Sequence, residues 1–447
     1  MTGSRGSQPG SRGSQLGSRG SPLGQGQSVY RDRAAYRGLA PVRLDGRARR
    51  ASIGFGAGGG RRRRQVTRLL REVFGRGSPL RHLDWVLLAA VLALSLLGTL
   101  LVYAATEPML KAQGADPHQY LIKELLNLAI GLVVMVGVSM LDYRQIRMLS
   151  PFVMVISILG LLYVLPFGNV VNGAKSWIDL PAGFQIEPSE YAKLAIILIC
   201  AMILSELPSG QVRPRVRAVA LAIGITAVPL LLVIAEPDLG VTMLMVALLV
   251  GMITLSGIRL RWLAVMAVVG TVGIVAIVKM HLLKGYQSSR LTSFLNPNAD
   301  PRGTGYSAHQ AAIAIGSGGL HGEGLFHGQL IAGSFVPEQY TDFIFSVSGE
   351  ELGYVGSLLL LALLGILLFR ALRIAYKADD QFGTMVAGGI AIWFGVQSFI
   401  NIGMTIGIMP VTGLPLPFVS YGGSAMFADM IAIGILHTVH RHRTVFG

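Results

Sequence analysis

From Leu83 onward, apolar residues recur in runs of about 20, the length a helix needs to cross a bilayer. Ten runs are read, at approximately 83–105, 120–141, 147–166, 188–206, 218–235, 239–257, 262–281, 345–369, 385–409 and 424–440. Residues 1–78 carry no apolar period and are rich in Gly, Ser, Arg and Gln. There Gly3-Ser4-Arg5-Gly6-Ser7-Gln8 recurs at Gly10 and, shortened, at Gly17, a seven-residue repeat with no apolar seam. Such a segment buries too little apolar surface to offset its ordering entropy and is expected to be disordered. The pattern therefore predicts a basic cytoplasmic tail over 1–78 and an all-α integral membrane domain over 79–447. That domain holds ten transmembrane helices, with a large loop of about 282–345 between helices 7 and 8.

Composition agrees. Of 447 residues, 52% are hydrophobic and only 14% charged, and the mean hydropathy is +0.57, outside the range of soluble domains. The net charge of +15 lies entirely in the tail, where 18 arginines up to His82 face Asp32, Asp45 and Glu72. The remainder is neutral, so no nucleic-acid-binding surface is spread over the fold. Arg61 to Arg64, Arg68, Arg71, Arg76 and Arg81 precede the first span, where they suit anionic lipid or simply anchor the topology. Cys200, the one cysteine, lies in an apolar run and reads as a small core residue.

Loop charges orient the spans. Arg144 and Arg147, Arg213, Arg215 and Arg217, Arg259 and Arg261, and Arg370, Arg373 and Lys377 all fall in even-numbered connections. The connections at Glu236-Pro237-Asp238 and Pro410-Val411 carry no Lys or Arg. The positive-inside rule then puts both termini in the cytoplasm. It puts three features outside: Asn172 to Glu187, the long loop, and Pro410 to Gly423.

Charge at the outer membrane edge is the candidate chemistry. Glu190 and Lys193 are three apart behind Pro188, which suits a first helical turn, so they share one face as an ion pair or a functional pair. Glu236 and Asp238 flank Pro237 in a turn between two spans. Asp342, read as helical, shares a polar face with Ser346, Gly349 and Gly353 that must look into protein or a wet cavity. The run Gly316-Ser317-Gly318-Gly319-Leu320-His321-Gly322-Glu323-Gly324 fails both the phosphate-loop and the dinucleotide spacing and reads as close backbone packing or a mobile loop. His309, His321 and His327 match no common zinc spacing. On these residues alone, an outer-face enzyme and a proton-coupled transporter stand level.

Longer runs carry a resemblance. Gly173-Ala174-Lys175-Ser176-Trp177, Pro188-Ser189-Glu190-Tyr191-Ala192-Lys193, Glu236-Pro237-Asp238-Leu239-Gly240, Pro337-Glu338 through Gly353 and Gly413 through Ser424 resemble the SEDS family (shape, elongation, division and sporulation). Asn401 to Gly413 and Asp300-Pro301-Arg302-Gly303-Thr304-Gly305-Tyr306 are similar to its RodA branch more than to FtsW. The resemblance implies a ten-helix peptidoglycan glycosyltransferase that polymerises lipid II outside the bacterial plasma membrane by inverting displacement of polyprenyl pyrophosphate. It implies Asp342 as general base, with Glu190 and Lys193 also catalytic, and substrate contacts from Asp238, Lys175, Trp177, Ser420 and Tyr421. A divalent cation, Mg2+ or Mn2+, on Glu190 and Asp238 is a further expectation, with no nucleotide. The implied partners are lipid II, the growing glycan strand, membrane lipids and a class B penicillin-binding transpeptidase. A lipid II flippase or other multi-pass transporter is the rival reading. Three positions depart from the family pattern: Tyr340 replaces His, Glu187 replaces Gln and Ala425 replaces Ser.

Overall fold

The computed structural model describes residues 83–171, 174–179, 185–206, 214–279, 290, 294 and 305–446. The predicted tail over 1–78, Gly173, and the stretch Asp300 to Thr304 lie outside the described residues.

Each of the ten apolar runs is a helix. In chain order these are α1 (Trp85–Ala112), α2 (Gln119–Ser139), α3 (Tyr143–Phe167), α4 (Pro188–Leu204), α5 (Val216–Ala235), α6 (Leu239–Leu255) and α7 (Leu260–Lys279). After α7 come the short α8 (Tyr306–Ser317) and α9 (Gln329–Ala332), then α10 (Ile344–Lys377), α11 (Gln381–Thr405) and α12 (Gly423–Phe446). Six of them, α1, α2, α3, α5, α10 and α11, are long and apolar enough to cross a membrane by length and composition. Hydrocarbon offers the backbone no hydrogen-bond partner, so helices that satisfy their own amides are what such sequences form. Short polar residues start them: Asp84 accepts from Leu87 N (3.1 Å), Asp238 from Val241 N (2.9 Å) and Asp380 from Gly383 N (3.0 Å).

The core is built around α4 and α11. α4 packs against α3, α5, α6, α11 and α12, and it is buried all round, with Cys200 fully enclosed. A helix apolar on every side belongs in the middle of a bundle. By contrast α3 turns Phe152, Ile156, Leu159 and Tyr163 outward, a surface fit for lipid. α1 begins and α12 ends at the same end of the bundle, where Asp84 N donates to His437 Nδ1 (3.3 Å).

The helical membrane fold stands, with two additions and one change. β1 (Asn169–Val171), β2 (Ala174–Asp179) and β3 (Gln185–Ile186) add a small antiparallel ribbon between α3 and α4. The connection after α7 is not simply a loop, since α8 and α9 pack on α10. Finally, α10 does not carry one straight polar stripe. Asp342 precedes it, in a turn where Glu338 O accepts from the amides of Thr341, Asp342 and Phe343, and the helix breaks at Gly353 (φ 67°, ψ −162°).

The break explains the glycine-rich run. Carbonyls of Glu350 and Glu351, orphaned by the break, accept from Glu323 N (2.9 Å) and Gly324 N (3.1 Å), while Tyr354 N and Val355 N donate to Gly319 O and Leu320 O. A Cβ at Gly322 would lie 2.1 Å from Glu351 O, so only glycine permits the approach. The run thus serves close backbone packing.

Candidate functional site

The site lies where α4, α6 and α10 begin and α11 ends. Pro188 occupies the first turn of α4, which places Glu190 and Lys193 on one inward face. Lys193 Nζ meets Glu190 Oε2 at 2.6 Å with both side chains essentially unexposed. It also donates to Gln397 Oε1 (3.0 Å) and sits 5.0 Å from the Trp393 ring centroid. Trp393 Nε1 donates to the same Gln397 oxygen (2.7 Å), and Gln397 Nε2 donates to Pro415 O (2.8 Å). In so dry a place the ammonium is tolerable only because a carboxylate, an amide oxygen and an aromatic face surround it.

A second layer of acids surrounds this pair. Burial, then the Glu190 and Asp238 carboxylates, push Glu187 well above the usual carboxylate range. Ser189 Oγ donates to Glu187 Oε1 (2.7 Å), and Glu187 N donates to Ser424 Oγ (3.0 Å). Asp238 is raised by burial, against the pull of the Val241 amide, Lys193 and Arg290. Glu236 is pushed up to about 8 by burial and then by Asp238.

Asp342 completes the site. Burial and then the Glu338 carboxylate raise its pKa to about 7, against the pull of Arg290. Arg290 is itself lowered by burial, with Asp342 and Asp238 opposing. A methyl group placed at Gly413 would sit 3.5 Å from Asp342 Oδ2 and 3.9 Å from Arg290 Nη1, so both face one glycine held at φ +80°. The turn is pinned to the elements around it. Asn401 Nδ2 donates to Asp342 O (2.8 Å) and Leu414 O (2.7 Å), and Gln339 Nε2 donates to Ala105 O (2.8 Å) and Ile331 O (3.1 Å). The chemistry of the cluster is that of a carboxyl poised near neutral pH beside a guanidinium, which suits proton abstraction next to a developing anion.

The structure groups the expected residues unevenly. Glu190, Lys193, Asp238 and Asp342 fall in one electrostatic cluster. Lys175 Nζ is instead engaged by the last carbonyls of α3, Leu165 O (3.2 Å) and Pro166 O (2.9 Å), and Trp177 pairs with Asn169 in the ribbon. Ser420 closes its own turn, accepting from Leu416 N (2.8 Å). Tyr421 N donates to Tyr340 O (3.0 Å), and Tyr120, Tyr340 and Tyr421 form a trio with centroids 5.0 to 5.9 Å apart. Tyr340, at the family's His position, is thus an aromatic wall.

A divalent cation on Glu190 and Asp238 does not suit these donors. Glu190 is taken by Lys193, and among the described residues no three Asp, Glu, His or Cys side chains group as a metal ion requires.

Sequence reasoning missed Arg290 and Gln397. Gln397 had a signal, being polar within an apolar run. Arg290 sits in a stretch without periodicity and had none.

Residues 84–445 match the family model described as "Cell cycle protein", the FtsW, RodA and SpoVE family. Peptidoglycan glycosyltransferase MrdB of Escherichia coli K12 is 39% identical over 362 residues, 81% of this chain and 94% of that protein. Stage V sporulation protein E of Bacillus subtilis is also 39% identical over 362 residues, 80% of this chain and 97% of its own. One solved chain is described as "Structural coordination of polymerization and crosslinking by a peptidoglycan synthase complex". It superposes with a TM-score of 0.68 at 30% identity, over 81% of this chain and 99% of that one. The chain is a multi-pass membrane protein and belongs to the FtsW, RodA and SpoVE family.

Proposed function

We propose that this chain is a peptidoglycan glycosyltransferase, polymerising lipid II on the outer face of the bacterial plasma membrane. The observation that carries the reading is Asp342: a carboxyl raised to about 7, fixed by Asn401, next to Arg290. The 4-hydroxyl of one lipid-linked sugar attacks the anomeric carbon of the other. Its proton passes to Asp342, the carbon–oxygen bond to pyrophosphate breaks, and the anomeric centre inverts. A base near the working pH contributes roughly 10²–10⁴ in rate.

Positive charge for the leaving pyrophosphate comes from Arg290, the half-buried cation of the cluster. Lys193, deeper and clamped between Glu190 and Gln397, sets the local potential. An apolar cavity of about 370 Å³ beside the α10 break, lined by Ile315, Phe345, Tyr354, Leu358 and Leu361, suits a polyprenyl chain. The site end of the bundle is taken as extracellular, and both termini as cytoplasmic, on the loop charges. Similarity to a synthase-complex chain supports a protein partner, for which a class B penicillin-binding transpeptidase is our assignment.

The test uses purified full-length protein and labelled lipid II. Asp342→Asn is expected to lower glycan-strand formation at least a hundredfold while the protein stays monodisperse in detergent. Near-normal strands from that variant would remove Asp342 as base and favour the flippase reading.

A further inference from the structure

A second charged pocket lies at the opposite end of α10 from Asp342. It is a cavity of about 110 Å³ lined by Asp84, Arg370, Arg373, Ile374, Lys377, Ala378, Val439 and His440. Arg370, Arg373 and Lys377 are spaced i, i+3 and i+7, so the last turns of α10 present them on one face. Arg370 is committed: its guanidinium pairs with Asp84, Nε to Oδ2 at 2.9 Å. Asp84 in turn caps α1 through Leu87 N. Burial opposes ionisation of Asp84, but Arg370 holds its carboxyl below the usual range, so this pair is a fixed ionic floor.

Above that floor the lining is cationic. Three cations and a histidine line the cavity with one carboxylate, and Lys377 and His440 also have contacts of their own within the protein. Arg373 is exposed, while Lys377 and His440 are half-buried. Of the two nearby acids, neither of which lines the cavity, Asp380 accepts from Tyr143 Oη and Gly383 N and Asp379 is exposed. Ile374 and Val439 are buried and give the cavity one apolar wall. The pocket therefore combines a surplus of positive charge, a rigid base and an apolar side, at the ends of helices whose middles suit hydrocarbon. That is the level at which lipid phosphates lie, and basic pockets between transmembrane helices are suited to them.

We infer that this pocket binds a phosphate-bearing anion, with Arg373 and Lys377 as its contacts and the Asp84–Arg370 pair holding them in place. The ligand's phosphate could belong to an anionic phospholipid headgroup or to free phosphate; the site's chemistry toward both is the same.

Full-length protein in neutral detergent would be titrated separately with short-chain phosphatidylglycerol, short-chain phosphatidylcholine and inorganic phosphate, with binding read by thermophoresis. Phosphatidylglycerol should bind and phosphatidylcholine should not. The double variant Arg373→Gln/Lys377→Gln should weaken binding on the order of tenfold or more. Arg144→Gln, an exposed charge elsewhere, should leave it unchanged. Arg373→Lys, which keeps the charge, should retain binding and guards against a folding defect. Inorganic phosphate binding as tightly, with the same loss in the double variant, identifies free phosphate as the source; binding of the lipid alone identifies the headgroup. Failure of both phosphates to bind, equal binding by the double variant, or an equal loss in Arg144→Gln would overturn the assignment.

Discussion

Charged neighbours pull the proton affinity of Asp342 in opposite directions, Glu338 and then Asp238 upward and Arg290 downward. The sign of each mutation follows. Only the ionised carboxylate accepts a proton, so activity should fall as pH drops through about 7. Removing the acid in Glu338→Gln should move that acidic limb to lower pH; removing the cation in Arg290→Gln should move it to higher pH and slow turnover as well. The pH profile of kcat/KM reads the free enzyme's groups directly, and limbs moving the same way in both variants would count against this account of the base. Lys193 poses a different question. Leaving Glu190 buried without its cation costs about 3–5 kcal/mol, so Lys193→Met should unfold at markedly lower temperature. The double variant Glu190→Gln/Lys193→Met should recover most of that loss. If it also regains polymerase activity, the pair is structural rather than catalytic.

At the scale of elements, the informative object is α10. An apolar run of this length reads as one helix, but Gly353 divides it into two helical segments, a short buried one and the lipid-suited remainder. Its backbone conformation is essentially restricted to glycine, and any other residue there costs about 1–3 kcal/mol. A Cβ would also approach Gly322 N to 2.2 Å. Gly353→Ala is therefore expected to lower the melting temperature and expose the 316–324 segment to protease, measurable by limited proteolysis. An unchanged digestion pattern would show that the break is not held by this contact. The ribbon between α3 and α4 was illegible for another reason. Its strands are two to six residues long, too short for alternation to register, and their existence depends on pairing across the turn rather than on composition.

At the scale of the molecule, charge is segregated. The excess of +15 resides in the first 82 residues, whereas the rest of the chain carries 20 basic and 20 acidic residues. Among the described residues, the groups that act on Asp342 are Glu338, Arg290, Asp238 and Thr341. Deleting residues 1 to about 60 should leave lipid II polymerisation by purified protein within about twofold of the intact chain, a margin comparable to the few tenths of a kcal/mol that distant changes cause. A large loss of in vitro activity would assign the tail a catalytic or regulatory role.

The sequence by itself determined the membrane class, the helical runs and the candidate acids, because hydrocarbon imposes one length and one periodicity on any spanning segment. It also pointed to Glu190 with Lys193, since three residues on a helix bring side chains together without help from elsewhere. Tertiary structure alone decided which charges share a site. Arg290 comes to Asp342 from an aperiodic stretch, and Gln397 reaches Lys193 across 204 residues of sequence. The same holds for function at each position: Lys175 and Ser420 sit in family-like motifs, yet packing engages one with the α3 carbonyls and the other with its own turn. Contacts made outside a regular helix or strand leave no period to read, so these assignments come only from the folded chain.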